Sequence, residues 1–320
     1  MFHYDGGLKI TRIDLGVDLR RRQPRGFISH AHSDHMAAHE LAFCTPATAA
    51  LYQHRYGTRQ TKLLPYGQRL DWNGATLSTW PAGHIFGSAM LLIEEGHQSL
   101  LYTGDFKLSD SSTAGIAQPP KARTLVMEST FGDPAYRLPP REEVIAQLVS
   151  IVELLLNDGR TPVIRAYTLG KSQEVTKILT DRGIGVQQHP LVYAVSKVYE
   201  AAGCNLGPYE EYLGQPKEGH VVIAPPRTQR IAPLRGLKRP ATIAVTGWAI
   251  GPRAHYRLGV DYAVPLSDHA DYDELIECIE RVEPEIIYCT HGPESFVDRL
   301  VALGHNAYPL TAGRQLKLFS

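Results

Sequence analysis

GFISHAHSDHM, residues 26–36, sets His30, His32, Asp34 and His35 within six positions directly after an apolar run. Imidazole and carboxylate are ligand types for zinc and for harder divalent ions such as manganese. His30 and His32 are two apart, and at a strand end alternate side chains point the same way, so both rings can reach one ion. Asp34 and His35 turn to the other side of the loop and can serve a second ion. A single histidine is ordinarily a surface or core residue. Four ligand groups crowded together would repel or stay unpaired without an ion, so a metal loop is the expectation.

Further donors lie outward from this segment. His84 in PAGHIFGSAM, Asp105 in LLYTGDF and His291 in YCTHGPE each follow a strand-like run and have glycine close by, which lets backbone and metal approach. Alone, Asp105 reads as a turn residue. Together these positions can fill two adjacent ions, roughly 3.5–4 Å apart, as hydrolytic two-metal sites require.

The surrounding chain is β-rich at first: RGFISH, TLSTWPAGH, AMLLIEEG, SLLYTGDF and RTLVMEST read as short strands with turns between them. The pattern then changes. PPREEVIAQLVSIVELLLNDGR carries apolar residues at helical spacing, with prolines before it and Gly159 after it. Strand and helix alternate from there through TPVIRAY, TLGKSQEVTKILTDRG, HVVIAPP and ATIAVTGW, the pattern of a small α/β unit with a parallel sheet. The last segment alternates again and sets Asp268, His269 and His291 just after strands, where α/β proteins build their sites.

Bulk numbers exclude several classes. The chain has 320 residues, 43% of them apolar, which suits two domains or one large split domain. Lys+Arg and Asp+Glu both number 33, so binding to a polyanion must rest on local patches. The four cysteines form no CxxC pair, which argues against a disulfide framework or a cysteine zinc knuckle. The N-terminus does not read as a signal peptide, and no apolar run approaches the ~20 residues of a membrane span. A cytoplasmic enzyme is expected.

SHAHSDH, GHIFGSA and YTGDF resemble the signature motifs of the metallo-β-lactamase fold, an αββα sandwich. VMESTFGDP with Glu128, SDHADY with His269, and THG with His291 resemble the three added motifs of its β-CASP nuclease branch, in which an α/β cap is inserted into the sandwich. HAHSDH, ESTFG, AYTLGKSQ, VIAPP, TGW and LSDHADY are most similar to the bacterial DNA-ligase-associated exonucleases, and Artemis-type repair nucleases are also similar. The resemblance implies a first sandwich part over 1–135, a cap over 136–262 and a second sandwich part over 263–320. It implies two divalent ions, zinc or manganese: one held by His30, His32 and His84, the other by Asp34, His35 and His291, with Asp105 bridging. An early aspartate, Asp18 with Asp14 as the alternative, would orient the loop by hydrogen bonds to the ligands from outside the metal. His269, held by Glu128, would be the general acid, with Asp34 and Glu128 completing the catalytic set.

The implied activity is hydrolysis of DNA phosphodiesters, as a single-strand or end-directed exonuclease in DNA repair, with a functional link to a DNA ligase. In carrying His291 the chain is similar to the RNA-processing members of the branch, so an RNA substrate is the alternative. A small-molecule hydrolase on the same fold is a further one, against which the cap and the Glu128, His269 and His291 set argue. For the phosphate backbone, Lys171 and Ser172 at a predicted helix start and Arg227 and Arg230 in PPRTQRIAPLRGLKRP are the candidates. Trp248 and Tyr256 could stack on bases, but buried packing is the expectation for each.

Overall fold

The computed structural model describes residues 2–4, 8–226, 234 and 236–310, and the backbone of 315–316. β1 (Phe2–Tyr4), β2 (Leu8–Ile10), β3 (Leu15–Val17), β4 (Arg25–Phe27), β5 (Leu41–Cys44) and β6 (Gln60–Leu63) follow one another across a first sheet. α1 (Pro46–Tyr56) joins the last two. Its apolar residues form no clear stripe, so the sequence does not announce this helix. Its start is set by a cap: the Thr48 amide donates to Thr45 Oγ1 at 3.2 Å, with Pro46 in the first turn.

β7 (Arg69–Trp72), β8 (Ala75–Pro81), β9 (Ala89–Glu95) and β10 (Gln98–Tyr102) form an antiparallel meander, and β11 (Thr124–Glu128) joins β10 in parallel. The chain then builds α2 (Arg141–Asn157), β12 (Pro162–Arg165), α3 (Lys171–Thr180), β13 (Gly185–Gln188), α4 (Pro190–Ala201), β14 (Glu210–Glu211), β15 (His220–Ala224), β16 (Ala241–Val245), α5 (Ala254–Leu258) and β17 (Tyr262–Val264). These six strands form a separate sheet in the order β14-β13-β15-β12-β16-β17, every pair parallel.

α6 (Tyr272–Val282), β18 (Ile286–Thr290), α7 (Glu294–Ala302) and β19 (Ala307–Pro309) return to the second sheet, ordered β19-β18-β11-β10-β9-β8-β7, and β20 (Gln315–Leu316) adds an edge to the first. The chain thus divides into two compact units, residues 1–110, 114–137 and 269–320 in one, and 111–113 with 138–268 in the other.

The period-2 alternation of strands explains the layers of the first unit. Leu91, Ile93, Leu100, Tyr102, Val126 and Tyr288 face a core shared with Phe2, Leu15, Val17 and Phe27 of the first sheet. Their neighbours Met90, Leu92, Leu101, Leu125, Met127 and Ile287 face the other way, against Leu275, Ile279 and Val282 of α6 and Phe296 and Leu300 of α7. Each of these fully buried side chains contributes roughly 1.5–3 kcal/mol. Strands buried on both faces read as unbroken apolar runs, which is why the central strands were legible. In the second unit α2 and α3 set Val144, Leu148, Val152, Val175 and Leu179 against the sheet's Ile164, Val221 and Ile243. The architecture is the αββα sandwich with an inserted α/β unit that the sequence leads one to expect. Among the described residues no helix is long and apolar enough to cross a membrane.

Candidate metal centre

The donors converge at the ends of the strands of the first unit. His30 and His32 follow β4. His84 sits in the turn between β8 and β9, where the amides of His84 and Ile85 donate to Ser88 Oγ at 3.1 and 3.2 Å. Asp105 follows β10 through Gly104, whose φ of +56° suits glycine and which lies so close to Ser29 that an added Cβ would stand 2.7 Å from that side chain.

His30 Nε2 and His84 Nε2 lie 3.2 and 3.1 Å from His32 Nδ1, and Asp105 Oδ2 lies 3.5 and 3.8 Å from the same two Nε2 atoms. A tetrahedral zinc with nitrogen ligands at 2.0–2.1 Å spaces its donors roughly 3.3–3.4 Å apart. The spread fits a single ion. Asp105 also belongs to a second convergence, with His35 and His291, whose donor atoms lie within 4.8 Å of one another. His35 Nε2 is 3.3 Å from Asp105 Oδ2. Asp34 stands at the rim of this second set: its carboxylate is exposed, 3.9 Å from His35 Nε2 and 3.7 Å from Arg20.

Asp18 organises this loop from below. It is buried, has a φ of +50°, and accepts from the Ser29 amide at 2.8 Å, Ser29 Oγ at 2.5 Å, His35 Nδ1 at 2.8 Å and Tyr102 Oη at 2.9 Å. Because Ser29 Oγ donates to Asp18, it accepts from His30 Nδ1 at 2.9 Å. Both rings are therefore held by Nδ1 and present Nε2 to the site, the arrangement that fixes a ligand tautomer. Asp14, the alternative, makes surface ion pairs with Lys9 and Arg25 instead. Ser29 and Tyr102 were missed in the sequence. Ser29 had a weak local signal, a hydroxyl directly before the first ligand; Tyr102 had none.

Electrostatics divide the imidazoles. Burial drives His30 well below its ordinary range, and the neighbouring His35 adds to this. Burial opposes charge on His35 too, but Asp105 and Asp18 outweigh it and hold His35 well above that range. Asp105 is pushed up by burial, yet the charge and hydrogen bond of His35 leave its carboxyl well below the usual carboxylate values.

The second feature is the Glu128–His269 pair. His269 Nδ1 lies 2.9 and 3.1 Å from the two oxygens of Glu128, which is buried at the end of β11. Glu128 also accepts from the Phe106 amide at 2.8 Å and Thr130 Oγ1 at 2.5 Å. The Ala270 amide donates to Phe106 O at 2.6 Å. Asp105 and His269 are thus braced by their immediate neighbours, and donor atoms of Asp105, Glu128 and His269 lie within 4.8 Å of one another. A capping box closes the brace: Asp271 accepts from the Glu274 amide at 3.0 Å and Glu274 from the Asp271 amide at 3.1 Å.

Residues 257–310, which span His269 and His291, match the family model described as the Zn-dependent metallo-hydrolase RNA specificity domain. The chain is 39% identical, over 98% of its length, to 31% of a "Probable DNA ligase" of Opitutus terrae. It is 22% identical, over 92% of its length, to 56% of the "Cleavage and polyadenylation specificity factor 73" of Drosophila melanogaster. The chain belongs to the β-CASP branch of the metallo-β-lactamase family. It spans about a third and just over half of the lengths of these two relatives. A crystal structure of a protein of unknown function from Enterococcus faecalis V583 shares the fold, with a TM-score of 0.58 at 16% identity over 83% of this chain and 75% of that one.

The inserted unit of this β-CASP protein corrects four expectations. Lys171 does begin α3, but it is only 1% exposed, and its Nζ lies 2.8 Å from Glu174 Oε2 and 3.8 Å from Asp268 Oδ1. Ser172 is buried, its Oγ donating to Tyr167 O at 2.7 Å. Neither is offered to a phosphate backbone. Trp248 and Tyr256 are exposed, against the expectation of buried packing. Arg227 and Arg230 lie outside the described residues.

Proposed function

We propose that this β-CASP protein is a two-metal nuclease that hydrolyses DNA phosphodiesters, as a single-strand or end-directed exonuclease in DNA repair. The observation that carries the reading is the meeting of two donor sets on Asp105, with the Glu128–His269 pair beside them. His30, His32 and His84 would hold one ion, Asp34, His35 and His291 the other, and Asp105 both. Zinc or manganese would supply a water of lowered pKa and positive charge for the phosphate oxygens. The remaining work falls to the chain. Ser29 and Asp18 hold His30 and His35 by Nδ1, so that Nε2 faces the site. Glu128 holds His269 by Nδ1. His269 Nε2 would then hand a proton to the leaving oxygen as the water oxygen bonds to phosphorus and the P–O bond to that leaving oxygen breaks.

The choice of DNA is supported by the Opitutus relative, a protein named as a DNA ligase in which the region similar to this chain makes up 31% of the length. On that likeness we assign a functional link with a DNA ligase and a cap over about residues 136–262; to these we add a cytoplasmic setting and, from the basic cluster PPRTQRIAPLRGLKRP, phosphate contacts at Arg227 and Arg230. A second reading, an RNA-processing nuclease, is favoured by the RNA-specificity description of residues 257–310 and by His291.

Chelator-stripped protein supplied with zinc or manganese, and DNA and RNA oligonucleotides of one sequence labelled at either end, separate the readings. Metal-dependent shortening of DNA is expected. RNA cut in preference selects the second reading, and no cleavage of either strand overturns both. His269→Ala should lose about 10²- to 10⁴-fold in turnover while keeping its metal content; full activity in that variant overturns the acid assignment.

A further inference from the structure

The sheet of the inserted unit has six parallel strands, so all its carboxyl ends lie on one edge. β12 and β16 are neighbours there, with Arg165 opposite Ala244. Two residues beyond Arg165 comes Tyr167, and four beyond Ala244 comes Trp248. Adjacent strands run roughly 4.8 Å apart, so the two segments leave the sheet side by side. Both aromatics are exposed, Tyr167 by 51% and Trp248 by 43%.

α5 adds a third ring. Arg257 Nη2 donates to Trp248 O at 2.7 Å and Ile250 O at 3.3 Å, which fastens the helix to the Trp248 loop. On the same helix Tyr256 is 77% exposed, with the His255 ring 4.1 Å away. Large aromatic rings in water forgo the burial that other tyrosines of this unit, such as Tyr199, obtain. Charge completes the picture. Residues 165–170 and 246–257 carry Arg165, Arg253, His255 and Arg257 and no aspartate or glutamate. Arg253 and Arg257 are exposed.

We propose that Tyr167, Trp248 and Tyr256 form a stacking platform for the bases of single-stranded DNA, with Arg253 and Arg257 meeting its phosphates. The platform rests on the nuclease reading above and gives it a grip on the strand in addition to the donor cluster. Rings stack on any base, so the surface holds sequence loosely and strand state tightly. A duplex, with its bases paired and stacked internally, cannot use it.

The test is binding in chelator, where no strand is cut, of fluorescein-labelled oligo-dT and of a strand of equal length made of abasic deoxyribose phosphate. The parent should bind oligo-dT roughly five- to a hundred-fold tighter than the abasic strand, the worth of a stacked base. Trp248→Ala should lose that margin for oligo-dT and be unchanged for the abasic strand, while Trp248→Phe keeps most of it. Oligo-dT should quench tryptophan fluorescence in the parent and not in Trp248→Ala. Equal binding of both strands by the parent, or unchanged oligo-dT affinity in Trp248→Ala, overturns the platform and leaves the nuclease reading standing where the parent still degrades DNA with metal restored. A parent that neither binds nor degrades any strand overturns both.

Discussion

Asp18 is the residue on which the metal loop turns. Its two oxygens receive four donors, and two of those set the tautomers of His30 and His35. Tyr102→Phe removes one donor and leaves the fold's packing intact. Isothermal titration should find zinc affinity lowered about ten-fold, and an unchanged affinity would show that the tyrosine serves packing alone. The charge on His35 has its own consequence. Its proton is held above the ordinary value of about 6.5, and an ion on Nε2 must displace it. Metal affinity should therefore climb as pH rises from about 6 through that raised value, with proton release. Stability of the stripped protein moves the opposite way. The His35 contribution is complete below about pH 6.5 and fades as pH rises through its raised folded value, whereas that of Asp105 is present above about pH 3.8 and fades as pH falls. A flat affinity across that range would contradict the His35–Asp105 pairing. At this scale the ligands were legible, since ligand types crowd into short motifs. Tyr102 was not, because a tyrosine within a strand reads as core and its partner lies 84 residues away. Lys171 was misread because its residue type announces a cation and not its burial.

The elements hold the site by meeting at their ends. β11 and β18 are parallel neighbours, and the Ser129 amide donates to Thr290 O at 2.8 Å just where both strands stop. His291 follows in a left-handed conformation, φ +56°, and Gly292 then passes so close that a Cβ would stand 2.0 Å from Ser129 O. Gly292→Ala should cost roughly 1–3 kcal/mol in urea unfolding, because the backbone has to shift. On the two-ion reading it should also weaken the ion proposed at His35 and His291 more than the one proposed at His30, His32 and His84, which metal content after dialysis would reveal. Equal retention of both ions would mean that His291 stands independently of this crossing. Elements with unbroken apolar runs were readable from sequence, as was α2 with its apolar stripe and bounding prolines and glycine. α1 was not, since a cap and not a stripe defines it.

Two units built on separate cores should unfold as separate events. The inserted unit carries a buried ionic knot: Glu174 receives Lys171 at 2.8 Å, Arg141 at 2.9 Å and Ser111 Oγ at 3.0 Å. Burial opposes the charge on Glu174, but Lys171 and Arg141 hold its carboxyl below the usual range. Lys171→Met breaks the pair and should cost roughly 3–5 kcal/mol in that unit. Calorimetry should show one transition lowered while the other still rises on adding zinc; a single transition moved as a whole would contradict independent units. The domain pattern was legible as a change of periodicity after β11, while the knot depends on distant residues meeting and left no mark in the sequence.

The split of the second sheet also bears on synthesis. β11 waits for β18 across the entire inserted unit, and a chain still emerging from the ribosome has made His30, His32, His84 and Asp105 but neither His269 nor His291. The inserted unit, made of consecutive segments, can close first, while β11 keeps an unpaired edge. Until His269 and His291 are made, Glu128 lacks its imidazole partner and Asp105 and His35 lack the third member of their donor set.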